Sequence, residues 1–350
     1  MAVLKKTVLF IALAFTAGPG CVVGYLVESS YYQQKILRAR EPLEEIIQSP
    51  EYSNATKDKL KLAILAKNFA VKKLGLKETD NYDTYVKLNR PYVSWVVRVS
   101  DAYQIEPYKW WFPIVGSISY KGFFSRSEAK SEAQKFDPRK YDTYVRGVTA
   151  YSTLGWFSDP ILSSMMSYEN YEFVELIIHE STHATLYVKS NTDFNERLAT
   201  FVGRKGAQLY YLDNEGKNSP TLKIMKDEES DDKLFSNFIS KEITSLKKWY
   251  KDNKGHINHS QKEERLADIV KRFNSDVKPH FVTKSYDYFS KIKINNAKLL
   301  SYETYDQDLS EFEQLYKNEG NDMKKFISTC LKFQDDSNPL EALKRLIARR

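Results

Sequence analysis

His179-Glu180-Ser181-Thr182-His183 reads as H-E-x-x-H within an apolar stretch, Tyr171–Lys189, whose spacing predicts a helix. Residues four apart share one helix face. Both imidazoles can therefore reach one divalent ion, with Glu180 beside the open coordination position. A hydrolytic zinc centre takes three protein ligands and keeps a fourth position for water, and a neighbouring carboxylate can take a proton from that water. The chain has only five histidines in 350 residues, and its composition would produce this pattern by chance on the order of 0.01 times. Read as two partly buried core histidines, the motif leaves Glu180 between them unexplained. Leu176, Ile177, Ile178 and Leu186 mark the helix as central and buried.

One zinc ion needs a third ligand. Cys330 and His280 are candidates, but Glu196 is the better one. It opens a second helix, Asn195–Tyr211, after a short turn at Asn191–Phe194, so the chain can reverse and bring the carboxylate to the two imidazoles. The result is a His₂Glu set with a hard, anionic third donor. Asp193 and Glu196 also fit a capping box, D-x-x-E; with H-E-x-x-H upstream, metal ligation is preferred. In such a centre Glu180 acts as general base and proton carrier. A developing oxyanion needs a further donor, for which Tyr151 is the candidate taken forward, alongside Tyr187, His280 and Tyr302.

Composition bounds the rest. With 42% apolar and 28% charged residues, the chain is a folded globular protein rather than a disordered one. Its net charge of +7 comes from Lys and Arg interspersed with Asp and Glu, which gives a mixed solvated surface and no nucleic-acid patch. Two cysteines, Cys21 and Cys330, exclude a disulfide scaffold. Cys330 lies in an amphipathic stretch and reads as a small buried apolar residue.

The N-terminal segment, residues 1–27, has the layout of an export signal. Lys5 and Lys6 precede the apolar run Thr7–Ala17, and Gly18-Pro19-Gly20-Cys21 follows. Cys21 after Gly20 suits a bacterial lipoprotein signal, although Gly18 stands where an aliphatic residue is usual. Thr7–Val27 is also uncharged over 21 residues, enough for a single span oriented by the two lysines. Lipid anchor and retained span both place the remainder outside the cytoplasm, at the bacterial cell envelope on the periplasmic side.

Beyond it, Ser29–Arg40 and Glu41–Leu76 read as helices, the second starting at Pro42. Asn81–Val97 fits either a strand or a helix after Pro91. Pro107–Pro113 is an aromatic turn region, Ile114–Tyr120 a strand, Ser125–Phe136 a short helix and Tyr141–Tyr151 a strand with Gly147 as a bulge. From Lys223 onward the pattern is helical, with breaks at Lys251–Ser260, Val277–His280 and Asn318–Asn321. No Gly/Ser/Pro-rich linker divides the chain after residue 30, so residues 28–350 read as one domain. The expected fold class is α+β, mainly helical, with a small sheet, including Tyr141–Tyr151, flanking the H-E-x-x-H helix, an arrangement that resembles zincin-like metallopeptidase domains.

These residues carry a resemblance. The runs Arg90-Pro91-Tyr92-Val93, Lys109–Pro113, Ala150–Phe157 with Asp159-Pro160, His179–His183 with Leu186-Tyr187, and Phe194–Val202 with Gly206 are similar to the bacterial putative aminopeptidase family of exported or lipoprotein-like zincins. Asn295-Asn296-Ala297 is a weaker late match. The resemblance spans residues 30–320. It implies a zinc-dependent peptidase with His179, His183 and Glu196 as ligands and Glu180 as the catalytic carboxylate. The chain departs from the family at Ser181 and at Ala184-Thr185, where Leu-Ala before the second His and Gln after it are common, so pocket polarity is expected to differ.

The expected activity is zinc-dependent hydrolysis of peptides, most simply as an aminopeptidase. An exopeptidase also needs an acid for the free α-amine, and Asp159 is one such residue, though it also suits a turn before Pro160. The competing expectation is a catalytically silent, envelope-anchored binding or scaffold protein that retains a metal site. A structural zinc site needs no base, so Glu180 argues against it.

Overall fold

The computed structural model describes residues 20–112, 116–150, 157–189, 191–303 and 309–349. In chain order the described elements begin with α1 (Gly20–Arg38), β1 (Glu41–Pro42), α2 (Leu43–Gln48) and α3 (Asn54–Phe69). Next come β2 (Thr84–Val86), β3 (Ser94–Asp101), β4 (Trp110–Phe112), β5 (Gly116–Ile118), β6 (Lys121–Phe123), α4 (Arg126–Gln134), β7 (Tyr141–Val148) and β8 (Ile161–Leu162). Helices then dominate: α5 (Asn170–Thr185), α6 (Thr192–Glu215), α7 (Pro220–Asp252), α8 (His259–Arg272), α9 (Asn296–Glu303), α10 (Ser310–Asn318), α11 (Met323–Cys330) and α12 (Pro339–Ala348). The chain is mainly helical with small sheets, an α+β composition. Among the described residues no helix is long and apolar enough to cross a membrane.

These residues form two compact units, each assembled from three stretches of chain. The first contains the described residues within 1–39, 92–149 and 231–306. Its sheet has the order β6-β3-β7, with β3 antiparallel to both neighbours. Alternate residues of β3, among them Val97 and Val99, are fully buried against Ala129 and the largely buried Phe123. A second cluster joins Phe235, Ile239 and Leu246 to Leu266, Phe273 and Phe289. The second unit contains residues 40–91, 150–230 and 307–350. It holds the three short strands β1-β2-β8 and the antiparallel pair α5 and α6. The H-E-x-x-H helix thus lies in the second unit, and β7 lies in the first.

Several expectations are corrected. Glu41–Leu76 is not one helix. Pro50 keeps Ser49 extended and the chain breaks there. It restarts at Ser53, whose hydroxyl accepts from the Thr56 N–H at 3.2 Å. Asn81–Val97 resolves into strands β2 and β3, with no helix after Pro91. The aromatic turn contains a strand, β4, which pairs with β5; residues 114 and 115 of the expected strand lie outside the described residues. Gly147 is not a bulge, because β7 pairs with β3 in unbroken register through it. Its role is close approach: a Cβ there would stand 2.3 Å from the Tyr92 ring.

Candidate metal centre

Helix α5 carries the motif because one face of it is apolar and wholly buried: Phe173, Val174, Ile177 and Ile178. His183 continues that face and is buried, while the His179 side chain is partly exposed. Ser181 and Thr182 are buried too, but their hydroxyls donate to the Ile177 and Ile178 carbonyls at 2.7 and 2.9 Å. The Thr185 hydroxyl donates to the Ser181 carbonyl at 2.8 Å. The Ser181 hydroxyl thus turns back on its own helix, while the Thr185 oxygen also accepts from the Lys77 N–H at 2.9 Å.

The third donor arrives by a short reversal. Helix α5 ends at Leu186, in extended conformation. The Asn195 side chain then brackets Val188: its Oδ1 accepts from the Val188 N–H and its Nδ2 donates to the Val188 carbonyl, each at 2.8 Å. Asn195 is buried, so this bracket fixes the start of α6, and Glu196 is the next residue. Helix α6 begins with Asn191 as N-cap, so Glu196 stands in its second turn and not at the third helical position. The alternative reading of Asp193 and Glu196 as a capping box does not hold, since Asn191 is the N-cap. Farther along α6 the two helices touch closely. A Cβ at Gly203 would lie 3.0 Å from the Glu175 carbonyl oxygen and 3.1 Å from the His179 Cβ. At Gly206 it would lie 2.9 Å from Ile178.

The donor atoms converge. Nε2 of His179 and Nε2 of His183 are 3.2 Å apart, with the rings at 82° to one another. Glu196 Oε2 is 3.6 Å from His179 Nε2, and its Oε1 is 3.5 Å from His183 Nε2. Two nitrogens on one tetrahedral zinc, each bonded at ~2.05 Å, would be about 3.3 Å apart, so the spacing fits a shared ion. The group contains His179, His183 and Glu196; neither Cys330 nor His280 is part of it. Cys330 is fully buried in α11, and His280 belongs to the first unit. The Glu196 side chain remains 44% exposed, so solvent reaches the donor set from its side.

Electrostatics separate the two carboxylates. Burial alone would raise Glu196, yet the hydrogen bonds and charges of the two imidazoles hold its carboxyl well below the usual range. Burial pushes the Glu180 carboxyl up against the pull of the same imidazoles, and the charges of Glu196 and Asp159 push it further. Burial opposes the charge on His179, but the Glu196 bond and the carboxylates of Glu180, Glu196 and Glu175 outweigh it and raise that ring. Glu180 Oε2 and His183 Nδ1 are both buried without a hydrogen-bond partner, which is costly unless a ligand or water completes them.

Asn195, Gly203 and Tyr82 were not singled out by sequence. Tyr82 is a buried non-glycine residue at φ 64°. Its N–H donates to the Asp159 carbonyl at 2.7 Å, and the Asn81 side chain accepts from the Asp159 N–H at 3.0 Å. Burial raises the Tyr82 hydroxyl, and the charges of Glu180 and Asp159 add to this. The Asn81–Tyr82 turn and Asp159 thus lie in the electrostatic surroundings of Glu180. Of the expected oxyanion donors, Tyr151 lies outside the described residues. Tyr187 is exposed. Tyr302 and His280 are in the first unit, where the Tyr302 hydroxyl is 3.0 Å from that of Tyr288.

The sequence model of a family described as putative aminopeptidase matches residues 24–344. No curated protein and no solved structure matches the chain.

Proposed function

The chain belongs to the putative aminopeptidase family, and we propose that it is a zinc-dependent peptidase that removes residues from free peptide N-termini at the bacterial cell envelope. The observation that carries this reading is the convergence of His179, His183 and Glu196 beside Glu180, whose buried Oε2 has no hydrogen-bond partner. A zinc ion held by those three donors would supply polarisation of the scissile carbonyl and acidification of a bound water. Glu180 Oε2 accepts the proton of the attacking water and returns it to the leaving amine. Its raised proton affinity suits both directions of transfer. Glu196, whose carboxyl the neighbouring imidazoles hold as an anion, is in the form that a metal ligand requires. Asn195 and the close contact at Gly203 keep that carboxylate aimed at the imidazoles. Anchoring of the chain follows from residues 1–27, by lipid at Cys21 or by a retained span.

A silent scaffold with a retained zinc site is disfavoured by the same geometry, since an unpaired buried carboxylate is a cost that a structural site would remove.

Purified full-length chain should hold about one zinc per molecule, as a three-ligand site requires. Glu180→Gln should retain that zinc and lose hydrolysis. A peptide panel with free and acetylated N-termini should show cleavage of the free set only. Cleavage of both sets would make the protein an endopeptidase; undiminished turnover by Glu180→Gln would sink the hydrolytic role of that residue.

A further inference from the structure

Tyr82 is held in a conformation that a bulky side chain rarely adopts. Its φ is 64°, in the left-handed region, and such a residue persists only where its surroundings over-determine it. Here they do so from both directions. The Tyr82 N–H is bonded to the Asp159 carbonyl, and the Asp159 N–H to the Asn81 side chain. Three residues on, Tyr85 pairs with Ile161 in the parallel β2–β8 ladder, which fixes the turn against Asp159-Pro160. On the other side the Lys77 N–H is tied to the Thr185 hydroxyl, five residues past Glu180 on α5. The stretch from Lys77 to Tyr82 thus joins the end of the metal-bearing helix to Asp159, all within the second unit.

The side chain held there has an unused polar group. Tyr82 is 4% exposed, yet among the described residues its hydroxyl has no hydrogen-bond partner. A buried tyrosine hydroxyl ordinarily finds one, as the similarly buried Tyr250 does at Asn296, and leaving it open is costly. The charges that act on this hydroxyl are the carboxylates of Glu180 and Asp159, and Glu180 Oε2 is itself open. Burial and those two charges keep the phenol protonated, so its oxygen is a neutral acceptor. A ligand that completes both open oxygens in this negative surrounding brings N–H donors and a positive charge. The α-ammonium of a peptide has both, and in an aminopeptidase substrate it stands one residue from the scissile carbonyl.

We propose that the Tyr82 hydroxyl accepts a hydrogen bond from the free α-ammonium of the substrate, in the negative surroundings of Asp159 and Glu180, and so selects unblocked N-termini. The inference rests on the peptidase reading, and binding separates the two. The probes are L-leucinol, which carries the ammonium and has no bond to cleave, and N-acetyl-leucinol, titrated calorimetrically into the zinc-loaded full-length chain. Leucinol should bind and its acetylated form should not. Tyr82→Phe should weaken leucinol by about 10–100-fold, the range for a hydrogen bond to a charged group. It should raise KM for peptides with free N-termini more than it lowers kcat, and leave Tm unchanged, because only an open hydroxyl is removed. Unchanged leucinol affinity in Tyr82→Phe, or equal binding of the two probes by the parent chain, overturns the proposal. A fall in Tm overturns it too, since the hydroxyl would then be bonded within the fold. Leucinol bound through Tyr82 by a chain that cleaves no peptide would sink the peptidase reading and leave the ammonium site standing.

Discussion

In the first unit a buried lysine, Lys262, gives both oxygens of Asp142 a hydrogen bond at 2.7 and 2.8 Å. The same carboxylate accepts from the Asn296 backbone N–H at 2.9 Å. The Asn296 amide donates to the Asp101 and Ala102 carbonyls and accepts from the Tyr250 hydroxyl. In the second unit a partly buried group of charges is left open. His179, His183 and Glu196 crowd their donor atoms toward one point, and Glu180 Oε2 has no partner. Low dielectric raises the stakes in both places. A network with every member satisfied is what a fold uses to hold α9 on its sheet. A network with atoms left over is what chemistry needs, since only an unsatisfied group can take a ligand or a proton.

The comparison breaks most easily at its two carboxylates. Glu180→Gln should lower kcat by about 10²–10⁴-fold, the usual contribution of a general base, while leaving thermal stability unchanged. Lys262→Met leaves Asp142 charged and unpaired in the interior, and should destabilise the protein by about 3–5 kcal/mol. Urea melts of both variants beside their peptide-hydrolysis rates decide the matter. Equal destabilisation by the two would mean that the open cluster is structural after all. The next effect in size is the ion's own. Chelation should lower Tm and zinc should restore it, by about 2.7 kcal/mol when zinc is present at 100 times its Kd. Chelation that leaves Tm unmoved would mean that the convergent donors hold no ion in the folded state.

Asn195→Ala sharpens the contrast from the supporting side. It deletes both bonds to Val188 and strands the buried Val188 N–H, while the Val188 carbonyl keeps the Asn191 N–H at 3.3 Å, at a cost of about 1–3 kcal/mol. Because Glu196 follows directly, zinc affinity should fall by roughly 10–100-fold, the range for lost supporting contacts. Competition with a chelator of known affinity measures this, and unchanged zinc affinity would show that Glu196 is aimed without the bracket.

How far the sequence reached follows from the range of each signal. The histidine pair is local, set by the 3.6-residue helical period, and His179, Glu180 and His183 were readable at once. Glu196 needed one short reversal and was reachable from the turn that precedes it. Asn195, Gly203 and Tyr82 were not, because their roles depend on a partner brought close in space: the Val188 backbone, the Glu175 carbonyl and Asp159. The same limit explains Asn295-Asn296-Ala297, visible only as a weak motif. Its meaning is a bracket across some 150 residues, with Asn295 donating to the Thr143 carbonyl at 3.0 Å and Asn296 binding Asp142. Helix ends with caps were well placed at Ser125 and Asn318, whereas the break at Ser49-Pro50 was lost inside a strong helical period.

The smallest effect concerns a third carboxylate, midway between the two clusters in character. Glu128 lies in the first turn of α4, where the Ser125 hydroxyl caps its backbone N–H. Partial burial, then a hydrogen bond and like charge from Glu28 on α1, lift its carboxyl from 4.5 to about 7. A helix N-terminus favours the anion, so the shift shows that the Glu28 pairing wins. The sign follows from linkage. A folded-state value above the unfolded one means that the shared proton stabilises the docking of α1 below pH ~4.5, and that this contribution is lost as pH rises through about 7. Amide exchange of residues 25–38, corrected for the intrinsic rate, should therefore be more protected at pH 5.5 than at pH 8. Glu128→Gln keeps a donor toward Glu28 and should flatten the difference. Protection that is the same at both pH values in the parent chain would show that the two carboxyls do not share a proton, and would leave the aromatic contacts of Tyr25 with Phe112 and Phe123, and of Tyr32 with Phe124, as what holds the helix in place.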